Sequence, residues 1–332
     1  MSQCARADIL EDYLIELEQD LLSILLSDFS SRKNIVWATD DYRGFGEPYR
    51  KTSEIFPHLV TREHNFLIQP RAEKPLRTQQ LRIRKKGEVF TPSWVCNEQN
   101  NLVDDAWFGR SGVFNATKGS SWTATKGKIL FSAENGRDWQ AYVDAKRLEI
   151  TCGEAPYLVS RYDTTTGDVI PLRERIGFLD RKLRVVSENA VSKTEWLKWA
   201  TRAIQSVYGY EFQGDSLLIA RENVFMTFVE YYSEHYGEFP ESGTLKSVAE
   251  IVSRNLWQMD AKKGVVPYSC KNVVRNDNSL FGSKTHVMPC PGCSGTGLKN
   301  HTGIYCKITD WLEGSTVRYV DLIKGRKADG SI

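Results

Sequence analysis

From Ala7 to Leu26 the apolar positions Ile9, Leu10, Tyr13, Leu14, Leu17, Leu21, Ile24 and Leu25 recur at helical spacing with acids between them. This pattern predicts one amphipathic helix whose stripe packs on the rest of the chain. Lys33 to Tyr42 reads as a short strand and turn, and Phe66 to Gln69 as a further strand. After the Thr91-Pro92 turn, Val95, Leu102, Val103, Trp107 and Phe108 form a second helical stripe. Glycines and serines between Gly109 and Arg137 predict loops with a hairpin. The chain then enters a strand that Leu148 and Ile150 finish, read here as buried. Helical spacing returns at Trp196, Trp199, Ala200, Ala203, Ile204 and Val207, ahead of a short strand ending near Glu211 and another helix. A helix through Val252 gives way to an apolar segment that stops at Asp260. Strands alternating with helices predict an α/β core with a parallel sheet and crossover helices.

Such sheets place ligand crevices beyond the carboxyl ends of their strands. Glu149, Cys152 and Gly153, in the run LEITCGEAPYL, stand at such an edge. The 332 residues suffice for one large domain or two ordinary ones, and 41% hydrophobic content is normal for a globular chain. A formal charge of +2 does not mark a nucleic-acid binder by its sum. The clustering matters more: Arg71 to Lys86 carries seven Lys or Arg against one Glu, which is either a solvated basic face or a phosphate-contacting strip. The N-terminus lacks the pattern of a signal peptide and no apolar run is long enough for a membrane span, so a cytoplasmic protein without membrane association is expected.

Taken in order, these segments resemble the S-adenosylmethionine-dependent DNA adenine (N6) methyltransferases, the modification subunits of restriction systems with gamma motif order. Gly87-Glu88-Val89-Phe90-Thr91-Pro92 resembles their GxFxTP-like cofactor-edge run, and Leu148 to Leu158 their LDPxCGSGxFL glycine loop. Gly209-Tyr210-Glu211, with Ala220-Arg221 and Asn223 downstream, is similar to their second acid motif, and Gln258-Met259-Asp260 to their third. The resemblance implies a Rossmann-like methyltransferase core that binds S-adenosylmethionine through Phe90, Thr91, Pro92, Glu149, Cys152, Gly153, Glu211 and Asp260. In it, the glycine turn admits the methionine moiety, the second acid accepts the ribose hydroxyls and the third accepts the adenine amino group. The second glycine of the loop is Ala155 here, which permits close approach if its φ is negative.

One motif of that family is missing. No (Asp/Asn/Ser)-Pro-Pro-aromatic loop, which accepts the target amino group and stacks on the flipped base, is present. Val265-Val266-Pro267-Tyr268 is the nearest run, making Pro267 and Tyr268 the catalytic candidates, with Tyr268 stacking on a base or serving as an ordinary turn aromatic. Three readings follow: an active enzyme with an atypical acceptor loop, a protein that binds cofactor or DNA without methylating, or a subunit whose acceptor loop comes from a partner chain of a restriction or phage-defence system. Residues 160–195 form a charged insertion read as a lid, a target-recognition element or a cleft wall.

Seven cysteines, from Cys4 to Cys306, are an odd number and do not make a disulfide framework. Cys290-Pro291-Gly292-Cys293 has the spacing of a zinc knuckle. Cys270 and Cys306 complete a Cys4 set, with His286 and His301 in reserve; reduced thiols in a glycine turn are the alternative. The expected layout is a helical or mixed region with the basic strip over 1–86, the methyltransferase-like core over 87–264, and a small zinc-stabilised segment over 265–332. A phosphate-binding GxxxxGK(S/T) loop and a GxSxG elbow are both absent.

Overall fold

A parallel three-stranded sheet organises the chain. In the computed structural model, which describes residues 7–132, 136–279, 282–295 and 297–323, side chains of 276–284 apart, helices alternate with small sheets. Strands β5 (Arg147–Glu149), β6 (Val207–Glu211) and β7 (Leu256–Gln258) pair in parallel in that order. Arg147 is opposite Val207, and Glu211 is opposite Gln258. Parallel neighbours need long connections. Here they run through α6 (Phe178–Asn189) and α7 (Lys193–Gln205), then through α8 (Gly214–Tyr236) and α9 (Ser242–Asn255).

Helix α7 buries what its periodicity promises. Trp196, Ala200, Ala203 and Ile204 of α7 are fully buried, and α8 is buried from Gly214 to Tyr232. Helix α8 runs through the core although it carries Asp215, Arg221, Asn223 and Glu230, whose polar groups find partners inside the protein. Ser192 caps α7 by accepting from the Glu195 amide at 3.2 Å, and Glu195 reaches back to the Val191 amide. Gly214 is required where α8 begins, because a Cβ there would overlap the Val36 carbonyl.

Several expectations change. The first helix is two, α1 (Glu11–Leu17) and α2 (Leu21–Leu26), broken where Glu18, Gln19 and Asp20 offer no apolar side chain and Glu18 turns extended. Ser27–Asp28 and Lys33–Asn34 pair as the short strands β1 and β2, and Leu76–Lys86 of the basic strip forms α3. Phe66 to Gln69 forms turns, with Phe66 exposed and, among the described residues, no strand paired with it. Strand β5 is buried on one face only: Leu148 is 50% exposed and Ile150, just beyond it, 63%, while Glu149 between them is buried; among the described residues only β6 pairs with it. Residues 160–195 do not wall the large cavity described below. Their helix α6 lies in the core, where Arg181 is held by Asp104 at 2.6 Å and by Asn97 and Asn101.

The helix α4 (Ser93–Phe108) forms where expected, but its apolar stripe is not its buried face: Leu102 and Val103 are exposed, while Cys96, Asn97, Asn100 and Asp104 are buried. The hairpin of β3 (Asn115–Lys118) and β4 (Ser121–Ala124) follows the pattern, and α5 (Trp139–Asp144) precedes β5. After Val265 come a two-stranded arm, β8 (Val273–Ser279) with β9 (Gly282–Met288), and a hairpin, β10 (Lys307–Asp310) with β11 (Ser315–Arg318). This segment packs on the sheet: Cys306 and Val266 cluster with Tyr208, Tyr210, Trp257 and Met259. Among the described residues no helix is long and apolar enough to cross a membrane.

Candidate functional site

A cavity of about 620 Å³ opens at the carboxyl ends of β5 and β6. Its volume lies within the ~300–1,000 Å³ typical of small-molecule sites. Three segments distant in sequence meet there: Lys85 to Thr91, Glu149 to Gly153, and Glu211 to Gln213. Six of the eight residues expected to hold a cofactor line it, namely Phe90, Thr91, Glu149, Cys152, Gly153 and Glu211. Pro92 stands just behind, as the extended residue from which α4 starts.

Two buried carboxyl groups fasten the loop between β5 and α6. Glu211 accepts from the Gly153 amide at 3.0 Å through one oxygen, and from the Phe212 and Gln213 amides at 2.8 and 3.1 Å through the other. Glu149 accepts from the Tyr157 and Leu158 amides at 3.4 and 3.1 Å. Burial raises both carboxyl groups above their ordinary range against the pull of these amides, Glu149 to about 8. A carboxylate offers about four acceptor sites, so Glu211 keeps room for one more donor from the cavity.

The loop takes an unusual path. Thr151, Gly153 and Ala155 have φ of 46°, 55° and 63°. Only glycine adopts that region without penalty, so Thr151 and Ala155 store strain of about 1 kcal/mol or more each. The expectation of a negative φ at Ala155 is therefore corrected: it takes the glycine conformation as an alanine, packed with no exposure. Gly153 faces the Phe90 ring, which a Cβ would meet at 3.7 Å. Arg71 lies over the Phe90 face at 5.1 Å, and the Arg71 amide donates to Glu154 at 2.6 Å.

Asp260 does not join the cavity. It closes its own turn, accepting from the Lys262 amide at 3.2 Å and pairing with Lys263 at 2.9 Å. Gln258 carries the strand end instead, bridging the Val36 and Phe212 carbonyls. Pro267 is buried, while Tyr268 is 48% exposed, sits at a φ of 59°, and its ring lies 6.0 Å from that of Phe212 on the cavity wall. Arg221 and Asn223 are internal: Arg221 donates to the carbonyls of Leu25, Ser27, Ser253 and Leu256, and Asn223 to that of Glu154.

The basic strip divides. Arg82 is buried and bonds Asp41, Glu88 and Asp215, while Lys74 and Lys86 face Asp215 and Asp41. Despite complete burial, the Arg82 and Lys74 charges hold the Asp215 carboxyl well below its usual range. Arg77, Arg84 and Lys85 remain exposed. The periodicity gave no warning of this, since Arg82 is buried while its apolar neighbours Leu81 and Ile83 are exposed.

A second cluster lies beyond β7. Cys270, Cys290, Cys293 and His301 bring their ligand atoms within 4.8 Å of one another and could hold a metal ion. Cys306, expected among the ligands, is instead buried against the sheet with its thiol on the Gln258 carbonyl at 3.3 Å. His301, held in reserve by the sequence, takes the fourth place. Cys4 lies outside the described residues.

Comparison with family models, with characterised proteins and with solved structures finds no match to this chain.

Proposed function

We propose that this chain is an S-adenosylmethionine-binding protein with a Rossmann-like methyltransferase core, acting on adenine in DNA. The observation that carries the reading is the convergence of GEVFTP, the glycine loop and Glu211 on one cavity at the carboxyl edge of a parallel sheet. The donor set fits the ligand: a left-handed glycine gives backbone access, Phe90 offers an aromatic wall, and Glu211 retains an acceptor site for a ribose hydroxyl. When bound, the cofactor would supply a sulfonium methyl group to the adenine N6 nitrogen, leaving S-adenosylhomocysteine, with the displaced amino proton passing to solvent. The chain's own part is to position the cofactor, since Glu211, Glu149 and Phe90 belong to the cavity wall.

Two departures limit what the core does alone. Asp260 is turned to Lys263, and the run at Pro267-Tyr268 offers no polar acceptor side chain ahead of it. The open edge of β5, with Leu148 and Ile150 exposed beside it, favours a second reading in which a partner subunit of a restriction or phage-defence system completes the sheet and brings the acceptor loop. Zn2+ is the ion assigned to the Cys/His cluster, in a structural role, and the setting is cytoplasmic. Equilibrium dialysis with radiolabelled S-adenosylmethionine, followed by methyl transfer to adenine-containing duplexes, tests the reading. Retention of label without transfer selects the second reading, and no retention by the folded chain contradicts both.

A further inference from the structure

We propose that Cys270, Cys290, Cys293 and His301 Nδ1 form a tetrahedral Zn2+ site that clasps the base of the β8–β9 arm. The identity of the ion rests on the reading above; the ligand set and its purpose do not depend on a cofactor. With Zn–S near 2.3 Å and Zn–N near 2.0–2.1 Å, a tetrahedron sets sulfur and nitrogen about 3.6 Å apart. The three thiol sulfurs stand 3.6, 3.7 and 3.7 Å from His301 Nδ1. All three lie at the spacing that one shared ion imposes, whereas one imidazole nitrogen can make only one ordinary hydrogen bond along its ring plane.

The surroundings are built for these ligands. The Thr302 amide donates to Cys290 Sγ at 3.2 Å, the kind of outer bond that steadies a thiolate. Gly292 lets the knuckle approach the imidazole, since a Cβ would come within 2.6 Å of the His301 ring. Gly303 does the same for Cys270, where a Cβ would stand 2.9 Å from the sulfur. Three thiolates and an imidazole at tetrahedral spacing favour Zn2+, because oxygen-seeking ions take carboxylates and carbonyls instead.

The topology gives the ion its task. Cys270 lies three residues before β8, and Cys290 two residues after β9, so both ends of the arm enter the same site. His301 belongs to a segment fixed to the body: the Val266 amide donates to the Ile304 carbonyl at 2.8 Å, and the Ile304 amide to Ser269 Oγ at 3.0 Å. A two-stranded ribbon is marginal by itself, and Val274 and Val287 of this one are exposed. The ion joins its two ends to each other and to the body.

Metal analysis of the full chain by mass spectrometry should give one zinc per chain. Replacement by Co2+ should give a tetrahedral spectrum with the thiolate charge-transfer intensity of three sulfurs. His301→Ala should weaken zinc binding more than about 10-fold, while Cys306→Ala keeps it. Limited proteolysis after chelation should open cleavage within 271–289 and leave the remainder intact. A folded chain that binds no zinc, a four-sulfur cobalt spectrum, or an arm whose cleavage ignores chelation would overturn the proposal. None of these readouts uses the cofactor, so failure here is separate from failure of the function proposed above.

Discussion

The amide of Gly153 donates to the Glu211 carboxylate across the gap between neighbouring parallel strands, at 3.0 Å. One bond thereby ties the turn after β5 to the end of β6, and the cavity lies directly over it. Gly153→Ala should cost about 1 kcal/mol in stability through its left-handed φ alone, since the new Cβ makes ordinary contact with Phe90. Gly153→Val should cost clearly more. Urea denaturation of the two variants checks the order; equal costs would show that the backbone conformation is not the constraint.

Asp215 supports the cavity from behind. It is fully buried, accepts from Arg82 at 2.8 Å and from the Tyr42 hydroxyl at 2.9 Å. Asp215→Ala leaves the buried Arg82 without one of its carboxylates and should destabilise the chain by about 3–5 kcal/mol. Thermal unfolding measures it, and a loss below about 1 kcal/mol would mean that Asp41 and Glu88 suffice.

Much of this arrangement was legible in the sequence, and the reasons differ by residue. A helical stripe marked α7 because one-sided burial imprints a period on the chain, whereas α4 buries Asn97, Asn100 and Asp104 and leaves Leu102 exposed, so its apolar spacing located the helix and not its inner face. The cavity wall was legible because Glu149 and Glu211 end short strands and Gly153 follows one. Asp260 was misread because the chain turns immediately after β7, so an acid two residues past Gln258 no longer points along the strand. Arg82 and its carboxylates were invisible, since ion pairs from Arg82 to Asp41, Glu88 and Asp215 leave no periodic trace. His301 was under-rated because ligand spacing after a knuckle is set by loop geometry, which composition does not encode.

Buried carboxyl groups make stability depend on pH. Glu149 titrates at about 8 in the folded chain, raised by burial from an ordinary value near 4.5. The folded state therefore holds this proton more tightly than the unfolded state, and the group's contribution is complete below about pH 4.5 and lost as pH rises towards 8. Glu154, at about 7, acts in the same direction. Stability measured by chemical denaturation should fall between pH 5 and 8, and Glu149→Gln should flatten the curve. A variant curve parallel to the parent would show that Glu149 carries no such proton.

Gly214→Ala tests the mounting of α8. Its Cβ would overlap the Val36 carbonyl, to whose neighbour Trp37 the Gly214 amide donates at 3.0 Å. A loss of about 3 kcal/mol is expected, with the start of α8 displaced from the segment that lines the cavity. An unchanged melting temperature would contradict this close approach.

Calorimetric titration with S-adenosylhomocysteine, on the parent chain and on Phe90→Ala and Glu211→Ala variants shown by circular dichroism to be folded, tests the central claim most directly. The account predicts one site per chain, with binding lost in Glu211→Ala and weakened at least about 10-fold in Phe90→Ala, equivalent to about 1.4 kcal/mol. A folded, metal-loaded parent chain that gives no heat and no saturation, or variants that bind as the parent does, would contradict the assignment of this cavity to the cofactor.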